Sequence, residues 1–120
     1  MPLPWVRLDT SMPDNPKILA LADLGDRGLA AAFVWACSLA YSGKHGLDGF
    51  IPRPALARIN GKPAHARLLV AQNLWKDEGT GWSINGWEEY QESTSETQAR
   101  SRKAQIAALA RWHPNGKEEQ

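Results

Sequence analysis

Residues 68–93 read LLVAQNLWKDEGTGWSINGWEEYQES, and this stretch decides the fold class. A segment with helical periodicity ends at Leu74 and Trp75, a charged turn containing two glycines follows, and residues 82–84 form a second apolar run. Two short apolar strands around a glycine-containing turn predict a β-hairpin. A hairpin directly after a short helix is typical of the end of a winged helix-turn-helix, so the pattern favours nucleic acid as the partner.

The segments before this hairpin predict a helix-turn-helix and a further strand. A brief extended segment at residues 47–51 predicts the first strand of a three-stranded sheet. Pro52 and Pro54 then open a short helix. Residues 60–62 (Asn-Gly-Lys) form the turn, and a second helix over about residues 63–72 would be the recognition helix. The predicted class is therefore α+β, mostly helical, with a small β-hairpin as the wing.

The N-terminal third predicts one short strand and two helices. Residues 5–9 alternate apolar and polar side chains, which is typical of a strand. The Asn15-Pro16 pair indicates a capped helix start. Asp26 is predicted to cap a longer helix over residues 27–41, whose apolar stripe should face the core. This stripe comprises Leu29, Ala32, Phe33, Ala36, Cys37 and Ala40.

Length and composition fit one domain with a tail. The 120 residues can bury a core without a disulfide, and Cys37, the one cysteine, suits a reducing cytosol. The N-terminus lacks the pattern of a signal peptide, and the longest apolar stretch is too short for a membrane span. Trp75, Trp82 and Trp87 are expected to pack in the core rather than stack on unpaired bases.

Residue spacing indicates neither an active site nor a metal site. The three histidines and Cys37 lack zinc-ligand spacing, and the serines lack the surroundings of a catalytic nucleophile. The glycines at 79 and 81 are not followed by the Lys-Ser/Thr pair of a phosphate loop. We therefore expect a protein that is not an enzyme and that needs no cofactor and no metal.

The charges are segregated although the whole chain carries only +1. Residues 43–76 carry a net charge of +5, residues 77–96 carry −6, and residues 97–117 carry +5. The first basic block coincides with the predicted helix-turn-helix, which favours a polyanionic partner. The alternative is that the blocks are ordinary solvated faces.

The domain boundary is predicted near residue 92. Residues 1–92 form the winged helix-turn-helix domain, and residues 93–120 form a basic C-terminal helix and a disordered tail. A capping box at residues 93–96 would start this helix, which has only a narrow apolar face. Its basic residues would add phosphate contacts or serve self-association.

The candidate DNA-binding residues lie in the two basic blocks. Arg67 is the best candidate for reading a guanine, and Lys62 at a helix N-terminus suits a phosphate. The alternative for Arg67 is an ordinary exposed arginine. His65 is either a DNA contact or a packed side chain, and Asn60 is expected to stabilise the turn more than to reach a base. The full set is Arg53, Arg58, Asn60, Lys62, His65, Arg67, Arg100, Arg102, Lys103 and Arg111.

Two features favour a protein partner instead of DNA. The outer face of the recognition helix includes Ala64, Leu68 and Ala71, which offer only apolar contacts. The wing carries Asp77 and Glu78, which phosphate repels. The alternative function is therefore a protein-interaction module that binds a host or phage protein through the apolar helix face and the acidic residues.

Six short motifs in a fixed order carry a resemblance to a known family. Over about residues 3–93 the chain resembles the N-terminal winged-helix domain of phage and prophage replisome organisers, related to DnaD-like primosomal proteins and similar to versions from actinobacteriophages. The tail from Arg100 to His113 resembles the basic segment that often follows this domain. The motifs are Trp5…Asp9, Asn15-Pro16-Lys17-Ile18, Phe33-Val34-Trp35, Leu47-Asp48-Gly49-Phe50-Ile51-Pro52, Leu69-Val70…Leu74-Trp75 and Trp87-Glu88-Glu89-Tyr90-Gln91.

This resemblance implies binding of double-stranded DNA in the cytoplasm of a bacterial host. Longer family members recruit helicase machinery through a further C-terminal region, whereas this sequence stops at Gln120. Replication initiation and transcription regulation are therefore both expected roles, with a host or phage replication protein as a second partner. A homodimer stays open, because no strong heptad pattern demands it.

Overall fold

The computed structural model describes residues 2–91, 102–103 and 105–108. A three-stranded antiparallel sheet in the order β1-β3-β2 packs with the helices, which confirms the predicted mostly helical α+β class. No helix within these ranges has the length and apolar character needed to cross a bilayer. In chain order the elements are a 3-10 turn (Met12–Asp14), α1 (Pro16–Ala22), α2 (Asp26–Lys44), β1 (Phe50–Pro52), a 3-10 segment (Arg53–Ile59), α3 (Pro63–Ala71), β2 (Trp75–Asp77), β3 (Gly81–Ile84) and α4 (Trp87–Tyr90).

The hairpin forms where the glycine-containing turn predicts it. Strands β2 and β3 pair antiparallel, with Trp75 opposite Ile84. The amide of Glu78 donates to the carbonyl of Gly81 at 2.8 Å, and Gly79 has a φ of +85° that favours glycine. Strand β1 pairs with the other edge of β3, so the predicted three-stranded sheet is confirmed.

The two N-terminal helices begin by different means. The Oδ1 atom of Asn15 accepts from the amide of Lys17 at 2.8 Å and Pro16 is the first helical residue, so the predicted cap of α1 is confirmed. The predicted capping role of Asp26 is wrong, because Asp26 is itself the first residue of α2. Gly25 precedes it with a φ of +76°, which reverses the chain between the helices and leaves no capping side chain.

Helix α2 continues to Lys44, three residues beyond the predicted end at Tyr41. Ser42 and Gly43 lie within the helix, where the N-terminal segment crosses it. A Cβ atom on Gly43 would lie 2.4 Å from Cγ1 of Val6, so only glycine permits this approach. The amide of Leu3 donates to the Gly43 carbonyl at 2.8 Å, which fixes the crossing.

The predicted inward stripe of α2 is wrong for four of its six residues, while Ala32 and Cys37 are partly buried and pack against the core. Leu29 and Phe33 are 53% and 59% exposed, and Ala36 and Ala40 are exposed as well. Residues 28–43 contain no charged side chain, so an apolar period cannot select one face of this helix. The core takes the face with mostly small residues, which lets other elements approach closely. The buried residues are Gly28, Ala31, Val34, Ser38, Leu39, Ser42 and Gly43.

The predicted strand at residues 5–9 does not join the sheet. The amide of Arg7 donates to Oε1 of Gln91 at 2.7 Å, and Nε2 of Gln91 donates to the Arg7 carbonyl at 2.6 Å. The side-chain carboxamide of Gln91 therefore forms hydrogen bonds with both the amide and the carbonyl of Arg7, as the backbone of a neighbouring strand would. The strand prediction failed because local alternation cannot identify the hydrogen-bonding partner.

The predicted helix after Pro52 is a 3-10 segment, Arg53–Ile59, instead of an α-helix. Pro54 supplies no amide hydrogen, and Asn60 with a φ of +64° ends the segment after seven residues. Its buried residues are nevertheless apolar, namely Ala55, Leu56 and Ile59. Helix α3 starts at Pro63 as predicted and ends one residue before Gln72.

Part of the predicted C-terminal helix lies in the described ranges. Residues 102–103 and 105–108 are helical, and Ile106 is 62% exposed. The predicted capping box at 93–96, the tail, and the candidate residues Arg100 and Arg111 lie outside the described residues.

Three tryptophans anchor the core, as predicted. Trp75, Trp82 and Trp87 are all buried, and the rings of Trp75 and Trp82 lie 5.2 Å apart. Nε1 of Trp75 donates to Oγ of Ser38 at 3.3 Å, and that hydroxyl donates to the Trp35 carbonyl. Ser38 is thus a buried polar residue of α2 whose hydroxyl accepts a hydrogen bond from β2, the first strand of the hairpin.

Replacing Ser38 with alanine leaves the Trp75 indole N–H buried without an acceptor. We expect Ser38→Ala to lower the free energy of unfolding by about 1–3 kcal/mol, measured by urea denaturation. The same substitution in a Trp75→Phe background should cost much less, because no indole N–H remains to be satisfied. Equal losses in both backgrounds would show that this hydrogen bond does not stabilise the fold.

Candidate nucleic-acid interface

The turn before α3 is held by backbone hydrogen bonds and by a contact with α2. The amide of Gly61 donates to the Leu56 carbonyl at 2.9 Å, and Asn60 adopts the left-handed conformation. Nδ2 of Asn60 lies 3.9 Å from Sγ of Cys37, within reach of a weak hydrogen bond. Asn60 therefore stabilises the turn, as the sequence favoured, and its amide nitrogen is directed at α2.

The first turn of α3 is capped by a histidine. Nδ1 of His65 accepts a hydrogen bond from the amide of Lys62 at 3.1 Å. An accepting Nδ1 requires the neutral ring with its proton on Nε2, so Nε2 is the nitrogen left for a partner. His65 is half-buried, so it has a packing role and still exposes part of the ring.

Three exposed cations lie just before α3 and on it. Arg58 lies in the last turn of the 3-10 segment, Lys62 directly precedes α3, and Arg67 lies within it. Arg67 follows the buried Ala66, which places it on the solvent side of the helix. Within residues 2–91, no hydrogen bond or ion pair engages these three side chains. Their charges are available to a ligand.

Arg53 differs from these cations because the hairpin already binds it. Its Nη2 atom lies 2.8 Å from Oδ1 of Asp77, and its Nε donates to the Gly79 carbonyl at 3.0 Å. The guanidinium also lies 4.4 Å from the centre of the Trp82 ring. An exposed ion pair alone is weak, but three contacts in different directions fix the side chain. Sequence reasoning identified the charge of Arg53 but not its partners.

The acidic charge of the hairpin is partly neutralised by the same contacts. Asp77 is paired with Arg53, and its Oδ1 also accepts from the amide of Gly79 at 2.8 Å. Glu78 accepts a hydrogen bond from the Ser83 hydroxyl at 2.8 Å, which adds no positive charge. The hairpin therefore keeps one carboxylate, that of Glu78, without an ion-pair partner among residues 2–91.

Leu68 is not the exposed apolar residue that the sequence suggested. It is partly buried and packs against the core, because α3 lies close to α2 on that side. The solvent side of α3 is formed by Pro63, Arg67 and Ala71 instead. Beside it, a groove of about 540 Å³ separates α3 from the hairpin, and Val70 and Trp82 are among its apolar lining residues.

Two of the C-terminal candidates can be placed. Arg102 and Lys103 are exposed and helical. They extend the set of solvent-accessible cations.

Metal-binding groups do not cluster in the described part of the chain. No three histidine, cysteine, aspartate or glutamate side chains there lie close enough to hold a metal ion.

No protein-family model, no curated protein sequence and no solved structure matches this chain. The family resemblance therefore stays a prediction.

Removing the histidine cap should weaken α3 without changing its exposed charges. We expect His65→Ala to lower the free energy of unfolding by about 0.5–2 kcal/mol, because the Lys62 amide loses its acceptor. Arg58→Ala is the control, since this exposed side chain has no described contact and should change stability by no more than about 0.5 kcal/mol. Urea denaturation of both variants measures the difference, and equal effects would rule out the capping role.

Proposed function

We propose that this chain is a winged helix-turn-helix protein that binds double-stranded DNA. The order of elements supports this: α2, β1, the 3-10 segment, α3 and then the β2-β3 hairpin, with β3 in the centre of the sheet. In this assignment the 3-10 segment and α3 form the helix-turn-helix, joined by the three-residue glycine turn at 60–62. The hairpin is the wing.

The observation that carries the proposal is the positive charge, without an ion-pair partner among residues 2–91, that lies just before α3 and along it. Arg58, Lys62 and Arg67 are exposed, and no acid of residues 2–91 neutralises them. Because the Lys62 amide is already capped by His65 and Pro63 has no N–H, phosphate binding at this end of α3 depends on the cationic side chains. A cation that is already paired would have to lose its partner before it could bind phosphate.

The mechanism follows from where each cation lies. Arg67, on the solvent side of α3, enters the major groove and donates both guanidinium ends to a guanine. Lys62 and Arg58 bind phosphates on either side and fix the position of the helix. Arg53 supports the wing from within the protein, and Glu78 keeps the wing tip away from the backbone.

The biological setting we propose is phage or prophage DNA in a bacterial cytoplasm, in replication initiation or transcription regulation. Arg102 and Lys103 would extend the phosphate contacts beyond the domain. A host or phage replication protein is the second partner in this setting.

A second candidate is a protein-interaction module on the same fold, and the groove between α3 and the hairpin favours it. Leu56, Val70 and Trp82 give this groove an apolar lining, and the Arg53–Asp77 pair lies at one side. A short apolar peptide segment would fit such a surface. The partly buried Leu68 contributes less to this alternative than the sequence suggested.

DNA binding should depend steeply on salt. If Arg58, Lys62, Arg67, Arg102 and Lys103 each neutralise one phosphate, the logarithm of the binding constant should fall with a slope of about −4.5 against the logarithm of salt concentration. Fluorescence anisotropy of the full chain with labelled duplexes measures this slope. Absence of duplex binding at low salt would exclude the proposal and favour the protein-interaction module.

Arg67 and Arg53 should contribute differently to DNA affinity, although the sequence makes both candidate DNA-binding residues. Arg67→Ala should weaken binding to the preferred duplex by about 1–3 kcal/mol and relax preference at one base pair. Arg53→Ala is the matched control and should change affinity little, because its guanidinium is bound to the hairpin.

Asp77→Ala completes this comparison, since it releases Arg53 and removes a negative charge. It should strengthen binding to all duplexes. Equal losses for Arg67→Ala on every sequence would contradict base reading, and a large loss for Arg53→Ala would contradict its assignment to the wing.

A further inference from the structure

The outer face of α2 carries an apolar seam that the fold leaves uncovered. Leu29, Phe33, Ala36 and Ala40 are all exposed. They are spaced by four, three and four residues, which is the spacing at which one helix meets another along a heptad seam. We call these four residues the α2 seam.

The residues around the α2 seam offer no charge to make it compatible with water. Residues 28–43 contain no lysine, arginine, aspartate or glutamate, whereas a helix on a protein surface usually has a polar outer face. Two large side chains, Leu29 and Phe33, are more than half exposed on adjacent turns. Among the described C-terminal residues, Ile106 is itself 62% exposed and does not cover the seam.

The α2 seam is complementary to itself when a second copy is turned antiparallel. Its N-terminal half has the two large side chains and its C-terminal half has two alanines. An antiparallel pair centred between Phe33 and Ala36 sets Phe33 opposite Ala36 of the second copy. In the same register Leu29 lies opposite Ala40, so each large side chain meets a small one.

The charges at the two ends of α2 also favour this antiparallel register. Asp26 begins the helix and Lys44 ends it, and helical periodicity places both on one side of the α2 seam. In the antiparallel pair, Asp26 of one copy lies near Lys44 of the other at both ends. A parallel pair would instead bring like charges together, and it would set large side chains against large ones.

We propose that the α2 seam is the interface of a two-fold symmetric homodimer, with α2 packed antiparallel against α2 of a second copy. Such an interface uses the same residues from both subunits, which the large-to-small and acid-to-base pattern satisfies. The proposal goes beyond DNA binding and does not depend on it. The 19 residues of α2 span about 28 Å, so the interface is small and a weak, micromolar dimer is expected.

Sedimentation equilibrium of the full chain tests the dimer over a concentration range from a few to several hundred micromolar. The wild type should show a monomer–dimer equilibrium. Leu29→Asp and Phe33→Asp should each raise the dimer dissociation constant at least about 30-fold, because they bury a charge in the seam. Leu8→Asp is the matched control, because Leu8 is 52% exposed and lies outside α2. The dimer dissociation constant of this variant should stay within about twofold of the wild-type value.

A charge exchange tests the antiparallel register. Asp26→Lys and Lys44→Asp should each weaken the dimer several-fold, because each creates two like-charge pairs across the interface. The double variant Asp26→Lys/Lys44→Asp restores opposite charges and should recover most of the lost affinity. Circular dichroism of every variant checks that the fold is retained.

A wild-type chain that stays monomeric at every concentration overturns the proposal. So does a dimer that survives both Leu29→Asp and Phe33→Asp, or one that the Leu8→Asp control disrupts equally. A monomer whose thermal midpoint falls on Phe33→Asp would indicate that another segment of the same chain covers the seam, and this also overturns it. Failure of the charge exchange alone overturns the antiparallel register. None of these outcomes depends on adding DNA.

Discussion

The burial of Trp75 against α2 is the contact on which the arrangement of the other elements depends. Its indole N–H donates to Ser38, while its ring packs beside Trp82 in the central strand of the sheet. One turn further along α2, the hydroxyl of Ser42 accepts from the amide of Gly49, just before β1, at 2.7 Å. Two buried hydroxyls on one helix thus hold both edge strands. Because β2 follows α3 directly, they also fix α3 relative to the sheet.

Local signals in the sequence were sufficient to predict the elements that are bounded by glycine or proline. The hairpin, the turn at 60–62 and the start of α3 depend on glycine and proline, whose backbone preferences act within a few residues. The buried face and the true end of α2 were not predictable in this way. Leu29 and Phe33 match the helical period as well as Val34 and Ser38 do, and only the packing of the sheet and of Val6 decides between them.

In the candidate site, too, the sequence identifies the charged residues but not the contacts they make with distant parts of the chain. Residue type and position identified Arg58, Lys62 and Arg67 as exposed cations, and the structure leaves all three without a partner among residues 2–91. Arg53 has the same residue type, but its role depends on Asp77, which lies 24 residues later in the chain. A count of positive charges therefore overstates the charge available to a ligand, because one arginine is held by the protein's own hairpin.

The paired hydrogen bonds between Arg7 and the side chain of Gln91 have a consequence for chain topology. They join positions 84 residues apart, so the two ends of this folded region lie side by side. Adjacent ends are the condition under which a chain can be circularly permuted. A short linker could join the two ends, and new termini could open at the turn around Gly25 between α1 and α2, where a Cβ atom would meet nothing within 4 Å. The order of the elements along the chain is thus less constrained than their arrangement in space.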